Sequence, residues 1–505
     1  MKGRLTVAVL SLPLMLACRG TPAPVLPSSP PSSRVAPDST DALRQRVAGI
    51  LSDPVVAAGT WGLEVRSLST NQTLVEANAH RLLMPASTMK TLTLAVAADQ
   101  LGWDYTYETR AITSGTVKDG VLDGDLVVVG SGDPSFDDWD GAASAVFASW
   151  ADTLKTLGIT TIGGRIVGND DVFADEGLGA GWMWDDLAFG YSAPASGLQF
   201  NEGTAQVLIS PGAAVGEPAV LALSPSHARV PLVNDMRTVA PGSGTAITLQ
   251  ALPRTPGARL SGTIALDSGR QVRNVSVGNP TLYFANAVRT GLLANGVEVL
   301  GGAADRDDLV DAPNVDGAGA GLTHRSPALS VLADTLMKLS QNLYAETFLR
   351  TLGRAGGEAG TAEAGIAVVH KVLASWGVHE GEVLMADGSG LSRYNLVTAD
   401  AIVSVLAHVY GDARLREPYI ATLPVAGRAG MLSARMKGTA AEGNAQAKTG
   451  SFMNARAVAG FVRTADGETL AFSIIANNYG VPPADVDRVN DAIIAALAEF
   501  RRHHD

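Results

Sequence analysis

MPASTMKTLTLAVAADQLG, residues 84–102, sets Ser87 and Lys90 three positions apart at the head of a run with helical spacing. Residues three apart on a helix share one face, so the Lys90 amine reaches the Ser87 hydroxyl. Serine is a weak nucleophile until a neighbour takes its proton, and a lysine stripped of its charge by burial does that. Pro85 fits a first helical position and Gly102 a stop. A serine and a lysine so spaced also arise by chance in a long chain. Lysine is scarce here, however, and among Lys2, Lys90, Lys118, Lys155, Lys338, Lys371, Lys437 and Lys448 only Lys90 has a serine three before it.

Two further motifs share this chemistry. Lys448-Thr449-Gly450-Ser451 follows the strand-like Gln446-Ala447 and is the only K-[ST]-G in the chain. There Gly450 lets a substrate backbone come close, and the Thr449 and Ser451 hydroxyls can hold a carboxylate. Ser340-Gln341-Asn342 lies between the other two motifs and offers a second hydroxyl and an amide. Ser69-Thr70-Asn71 has the same form but precedes Ser87 and sits in turn chemistry, so it is set aside.

Outward from these motifs the chain divides by composition. Lys2 and Arg4 precede an apolar run, Leu5 to Leu16, too short to span a bilayer, and then Ala17 and the only cysteine, Cys18. Residues 1–18 are read as a lipoprotein-type signal with Cys18 lipidated, and the alternative is an ordinary cleaved signal. Residues 19–39, rich in proline and serine, are an extended tether. Residues 40–108 and 303–505 read as one body. It begins with a short helical pattern over Ala42 to Leu51 and strand-like runs at Trp61 to Leu68 and Gln72 to Ala77. Helices are expected over Ala328 to Leu352, Ala362 to Trp376, Ala399 to Tyr410 and Pro483 to Arg501, with strands over Gln446 to Phe452, Ala457 to Arg463 and Thr469 to Ala476. Residues 109–302, dominated by valine, threonine and glycine in short runs, are read as inserted β-rich domains. The fold class expected is α/β (α+β), a mostly antiparallel sheet with helices on both faces, a helical subregion and the β-rich insertion. The net charge of −12 argues against a nucleic-acid partner. The scattered histidines form no metal motif, and no cofactor is expected.

S-x-x-K, S-x-N and K-T-G in this order are the shared signature of penicillin-binding proteins and class A β-lactamases. With Gly130-Ser131-Gly132-Asp133-Pro134, Trp182-Met183-Trp184-Asp185-Asp186 and Asp387-Gly388-Ser389-Gly390-Leu391-Ser392-Arg393, the chain resembles the low-molecular-mass class C penicillin-binding proteins, serine D-alanyl-D-alanine carboxypeptidases and endopeptidases. The resemblance implies that Ser87 is acylated with Lys90 as its base. It implies that Ser340 and Lys448 relay a proton to the departing D-alanine and that Asn342 binds a substrate amide. The N–H groups of Ser87 and Ser451 would form the oxyanion hole, and Thr449 and Ser451 would hold the terminal carboxylate. Asp186 and Tyr191, with Ser389, Leu391 and Arg393, would meet the diamino-acid side chain, Asp185 competing with Asp186. Trp182 and Trp184 are expected to pack, and Asp133 to serve a turn. Ser451 and Phe452 depart from a common threonine and leucine, and Ser131 from a glycine.

The partners implied are peptidoglycan stem peptides, β-lactams as covalent inhibitors, and a membrane reached through the lipid on Cys18. The location implied is the periplasm or cell envelope, with the outer membrane favoured over the inner because Arg19 stands where retention uses an aspartate. The rival readings are a lipoprotein that binds cell-wall peptide without cleaving it, and a β-lactamase. No E-x-E-L-N stretch supports the latter, and no G-x-S-x-G supports a Ser-His-Asp hydrolase.

Overall fold

Five strands carry the catalytic body in the computed structural model, which describes residues 40–174, 177–313, 322–357 and 360–502. The signal, the tether and Cys18 lie outside the described residues. The strands are β1 (Thr60–Ser67), β2 (Thr73–Ala77), β3 (Gln446–Phe452), β4 (Ala455–Arg463) and β5 (Thr469–Asn477), in the order β3-β4-β5-β1-β2. Every pairing is antiparallel. Their period-two alternation separates two cores. Leu470, Phe472 and Ile474 of β5 join Leu63 and Val65 of β1 against the helices Thr40–Leu51 and Pro483–Glu499. Ala471 and Ile475 face the opposite way, toward helices Lys90–Leu101 and Ala399–Gly411. Helices therefore cover both faces. Each fully buried leucine or phenylalanine here contributes roughly 1.5–3 kcal/mol relative to exposure.

The helix containing Lys90 begins at that residue, after a tight 3-10 turn Ala86–Met89. Pro85 thus caps the turn and does not open the α-helix, whereas Gly102 at φ 83° ends the helix as expected. The run Ala328 to Leu352, expected to be one helical pattern, is two helices, Leu329–Lys338 and Asn342–Ala355. The break falls on Ser340, whose φ of 63° cannot continue a right-handed helix, and the Gln341 side chain caps the second helix at the Leu343 N–H. That break is what turns the Ser340 hydroxyl toward the catalytic sheet.

The region after residue 108 is richer in helix than its composition suggests. Helices Ala142–Thr156 and Pro280–Ala294 pack on a seven-stranded mixed sheet, the second started by the Asn279 side chain and by Pro280 in its first turn. Two three-stranded sheets complete this part. Pairing carries it past residue 302, because Ala303–Asp305 and Leu322–Arg325 both join the seven-stranded sheet. Among the described residues no helix is long and apolar enough to cross a membrane.

Candidate active site

Two chain segments close on the 3-10 turn that carries Ser87. β3 packs against the turn through Gly450, where a Cβ would lie 2.5 Å from the Pro85 carbonyl oxygen and 3.0 Å from the Ser87 nitrogen. No larger residue fits without moving the nucleophile. The 387–393 loop closes on the other side through Gly390, at φ 83°, where a Cβ would stand 1.9 Å from the Ala86 carbonyl oxygen. Gly390→Ala should therefore cost more than the roughly 1–2 kcal/mol of a left-handed non-glycine residue, because the Ala86 carbonyl must also move. Displacing the turn should also slow acylation of Ser87 about 100-fold. Penicillin-labelling kinetics alongside a thermal melt check this, and unchanged labelling would contradict the packing argument.

Lys90 is fully buried, and its amine has three partners. It donates to the Asn342 Oδ1 at 2.6 Å and to the Ser389 carbonyl at 2.7 Å, and it lies 3.0 Å from the Ser87 Oγ. A neutral amine has two hydrogens and one lone pair. With both hydrogens held by fixed oxygens, the lone pair is left for the Ser87 hydroxyl. Burial lowers the Lys90 pKa to about 7, against the opposing pull of the carboxylates of Asp387 and Glu346. Lys448, also fully buried, donates to the Ser340 Oγ at 2.8 Å and to the Thr449 carbonyl at 2.8 Å. Burial, and then the nearby Lys90, hold its pKa well below the usual lysine range. Ser87 and Ser340 each thus face a lysine amine depleted of charge.

Of the support under Lys90, Glu346 was not singled out in the sequence, and Asp387 stood there only within a motif, without a role. Glu346, fully buried on helix Asn342–Ala355, accepts the N–H of Ser389 at 2.8 Å and of Gly388 at 3.3 Å and pairs with Arg350 at 3.6 Å. Asp387 accepts the N–H groups of Gly390 and Ser392 at 2.7 and 2.6 Å, the Asn395 amide at 2.7 Å and the Trp182 indole N–H at 2.8 Å. These carboxylates fix the loop that presents the Ser389 carbonyl to Lys90. The Glu346 position on the helix face of Asn342, four residues on, was the available signal.

Above these groups lies a cavity of about 790 Å3 lined by Ser87, Ser340, Asn342, Thr449 and Ser451, and beyond them by Asp185, Asp186, Tyr191, Leu391 and Arg393. Asp186 accepts from the Tyr191 hydroxyl at 2.7 Å, and the Tyr191 carbonyl accepts from the Asn342 Nδ2 at 2.7 Å. One Asn342 amide hydrogen remains for another acceptor. Ser389 departs from its expected place: its side chain is fully buried, with its Oγ accepting the Leu391 N–H at 3.2 Å, and does not line the cavity. Of the two tryptophans expected to pack, only Trp184 departs from that expectation. Trp182 is tied to Asp387 by a hydrogen bond, and Trp184 is 60% exposed. Asp133 does serve a turn, accepting from the Ser135 N–H and hydroxyl. The departures have local reasons: Phe452 lies under the Arg393 guanidinium, 4.6 Å from its ring centre, and the Ser131 hydroxyl accepts the Glu108 N–H at 2.8 Å.

Two clusters outside the cavity, His80 with Glu382 and Asp400, and Asp170 with Asp305 and Asp307, bring three possible metal ligands within 4.8 Å of one another. Neither includes a residue of the cavity, and Asp400 already accepts from Arg66 at 2.7 Å.

A serine within 3.0 Å of a buried lysine amine, beside an antiparallel edge strand carrying K-T-G, is the arrangement of the penicillin-recognising serine acyl-transfer enzymes. The D-Ala-D-Ala carboxypeptidase 3 (S13) family matches residues 43–500, and the chain belongs to it. Among curated proteins, the D-alanyl-D-alanine carboxypeptidase of an Actinomadura species is 33% identical over 523 residues, covering 99% of this chain and 91% of that protein. The D-alanyl-D-alanine carboxypeptidase DacB of Haemophilus influenzae is 26% identical over 448 residues, covering 88% and 89%. The crystal structure of penicillin binding protein 4 from H. influenzae superposes with a TM-score of 0.77 at 24% identity, covering 88% of this chain and 97% of that one. The same protein complexed with a β-lactam gives a TM-score of 0.71. The chain is thus a serine carboxypeptidase by family, and neither the binding-only reading nor the β-lactamase reading finds support in these likenesses.

Proposed function

We propose that this enzyme removes the terminal D-alanine of peptidoglycan stem peptides in the cell envelope through an acyl-enzyme on Ser87, and that β-lactams acylate the same serine. The observation that carries this reading is the Lys90 amine, held by two oxygens so that its third position meets Ser87. Neutral Lys90 takes the Ser87 proton as Oγ attacks the carbonyl of the penultimate D-alanine. The N–H groups of Ser87 and Ser451 stabilise the oxyanion. As the C–N bond breaks, Ser340 gives its proton to the leaving nitrogen and is resupplied through Lys448. Thr449 and Ser451 hold the departing carboxylate, Asn342 the peptide carbonyl, and Asp186 with Tyr191, Leu391 and Arg393 the diamino-acid side chain. The proton passed on through Lys448 is the one Lys90 took from Ser87, so Lys90 is neutral again, takes a proton from the water that attacks the ester carbonyl, and gives it to the Ser87 Oγ as the C–O bond breaks. We further propose residues 1–18 as a signal, lipidation of Cys18 and anchoring to a membrane, the outer one favoured.

The test is release of D-alanine from a stem pentapeptide by the purified protein, run beside turnover of a penicillin. D-alanine release with a long-lived penicillin adduct is expected. Fast penicillin turnover without D-alanine release would make the chain a β-lactamase, and neither activity would leave peptide binding alone.

A further inference from the structure

The catalytic cavity has a neighbour that the mechanism does not use. A second cavity of about 530 Å3 shares Tyr191, Ser340 and Asn342 with the first but not Ser87. Its other walls carry Glu202 and Gln341 on one side and Arg273 and Asn274 on the other. Arg273 and Asn274 belong to the strand Gln271–Ser276, which pairs with Thr204–Ser210 along one edge. On its other edge a single bridge, Phe189 to Val275, covers it. An extended peptide segment lying beside such a strand finds both backbone partners and side-chain amides.

Arg273 supplies the selectivity. Its guanidinium donates to the neighbouring Val272 carbonyl at 2.8 Å and has no ion pair among the described residues. The one carboxyl in the same cleft, Glu202, has its pKa raised by burial and bonds to Gln341, so in a chain of net charge −12 the unpaired Arg273 guanidinium is a local attraction for an anionic ligand. Stem peptides carry free carboxylates along their length, beyond the D-alanine residues that react. We propose that this second cavity is a subsite for the part of the stem peptide beyond the reacting D-alanine residues, with Arg273 binding one of its carboxylates. The proposal rests on the carboxypeptidase reading above. Two sources present the same chemistry: the acyl-donor peptide continuing toward the glycan, or the second peptide attached to the leaving nitrogen in a cross-link.

The test compares wild type, Arg273→Ala and Arg273→Lys on three substrates: a minimal acyl-D-alanyl-D-alanine, a complete stem pentapeptide and a cross-linked dimer. Penicillin labelling reports the Ser87 site independently. For Arg273→Ala, kcat/KM should fall about tenfold or more on the long substrates, as expected for a lost charge-assisted hydrogen bond. The minimal peptide and the labelling rate should stay unchanged, and Arg273→Lys should recover part of the loss. A loss on pentapeptide and dimer together assigns the acyl-donor side, and a loss on the dimer alone the leaving side. No change on any substrate, or an equal loss on all three together with slower labelling, overturns the subsite. A wild type that neither labels nor releases D-alanine defeats the parent reading and this one with it, and is recognised before any substitution is made.

Discussion

Ser87→Ala should take up no penicillin label and release D-alanine at least 10⁴-fold more slowly than wild type, while melting at nearly the same temperature. Loss of a nucleophile that works together with its base costs roughly 10⁴–10⁶ in rate, because the remaining oxyanion donors act on water attack alone. The fold has no comparable stake in this hydroxyl. Among the described residues the Ser87 Oγ bonds only to the Lys90 amine, while the turn is held by the Thr88 hydroxyl on the Pro85 carbonyl and by Gly450 against the Pro85–Ser87 backbone. A variant that kept full labelling would move the nucleophile elsewhere, and Ser340 would be the next serine to test.

The second large effect is one of pH. In the proposed mechanism Lys90 is a base only when neutral, and burial has brought its pKa down to about 7. Acylation by penicillin should therefore be fast above pH 7 and fall as the amine gains its proton, to about one-fiftieth by pH 5 relative to pH 7. The sign follows from the direction of the shift. A lysine at its usual value would be charged throughout this range and the rate would keep rising toward pH 10. Lys90→Met removes the base while leaving the apolar stem in place, and should lower the rate about 10³-fold or more. It should also remove the acid limb of the profile. An acid limb that survives in the variant belongs to another group, and the buried Lys448 is then the first to examine.

The residues that the structure gathers around Ser87 could be picked out in the sequence because three short motifs each encode one local geometry. Ser87 and Lys90 are neighbours through helical rise, and Thr449 to Ser451 through strand alternation. The sheet strands were legible for the same reason, since β1, β2, β3 and β5 fall within a residue or two of the expected runs. What could not be read is whatever depends on distant segments meeting. Glu346 and Asp387 look like ordinary helix and loop carboxylates until the fold buries them together beneath Lys90. Trp182 lies some two hundred residues from the aspartate it binds, so no local pattern distinguishes it from a packing residue. The left-handed backbone at Ser340 was hidden because a serine interrupts a helical pattern without announcing it, as a glycine or proline would. Helix Pro280–Ala294 did carry its own start signal, Asn279-Pro280, but the β-branched character of its surroundings masked it.

The sheet order has a consequence for how this protein comes into being. β1 lies between β2 and β5, so its second edge waits for the strand at residues 469–477, some four hundred positions later in the chain. The serine turn likewise rests on β3, which is made just before β5. A growing chain thus exposes an open strand edge at β1 for most of its synthesis, an invitation to mispairing. It also holds no assembled nucleophile during that time. The Ser87 turn therefore gains its β3 support only after most of the chain has been made, so the site is completed late in synthesis by segments distant in sequence.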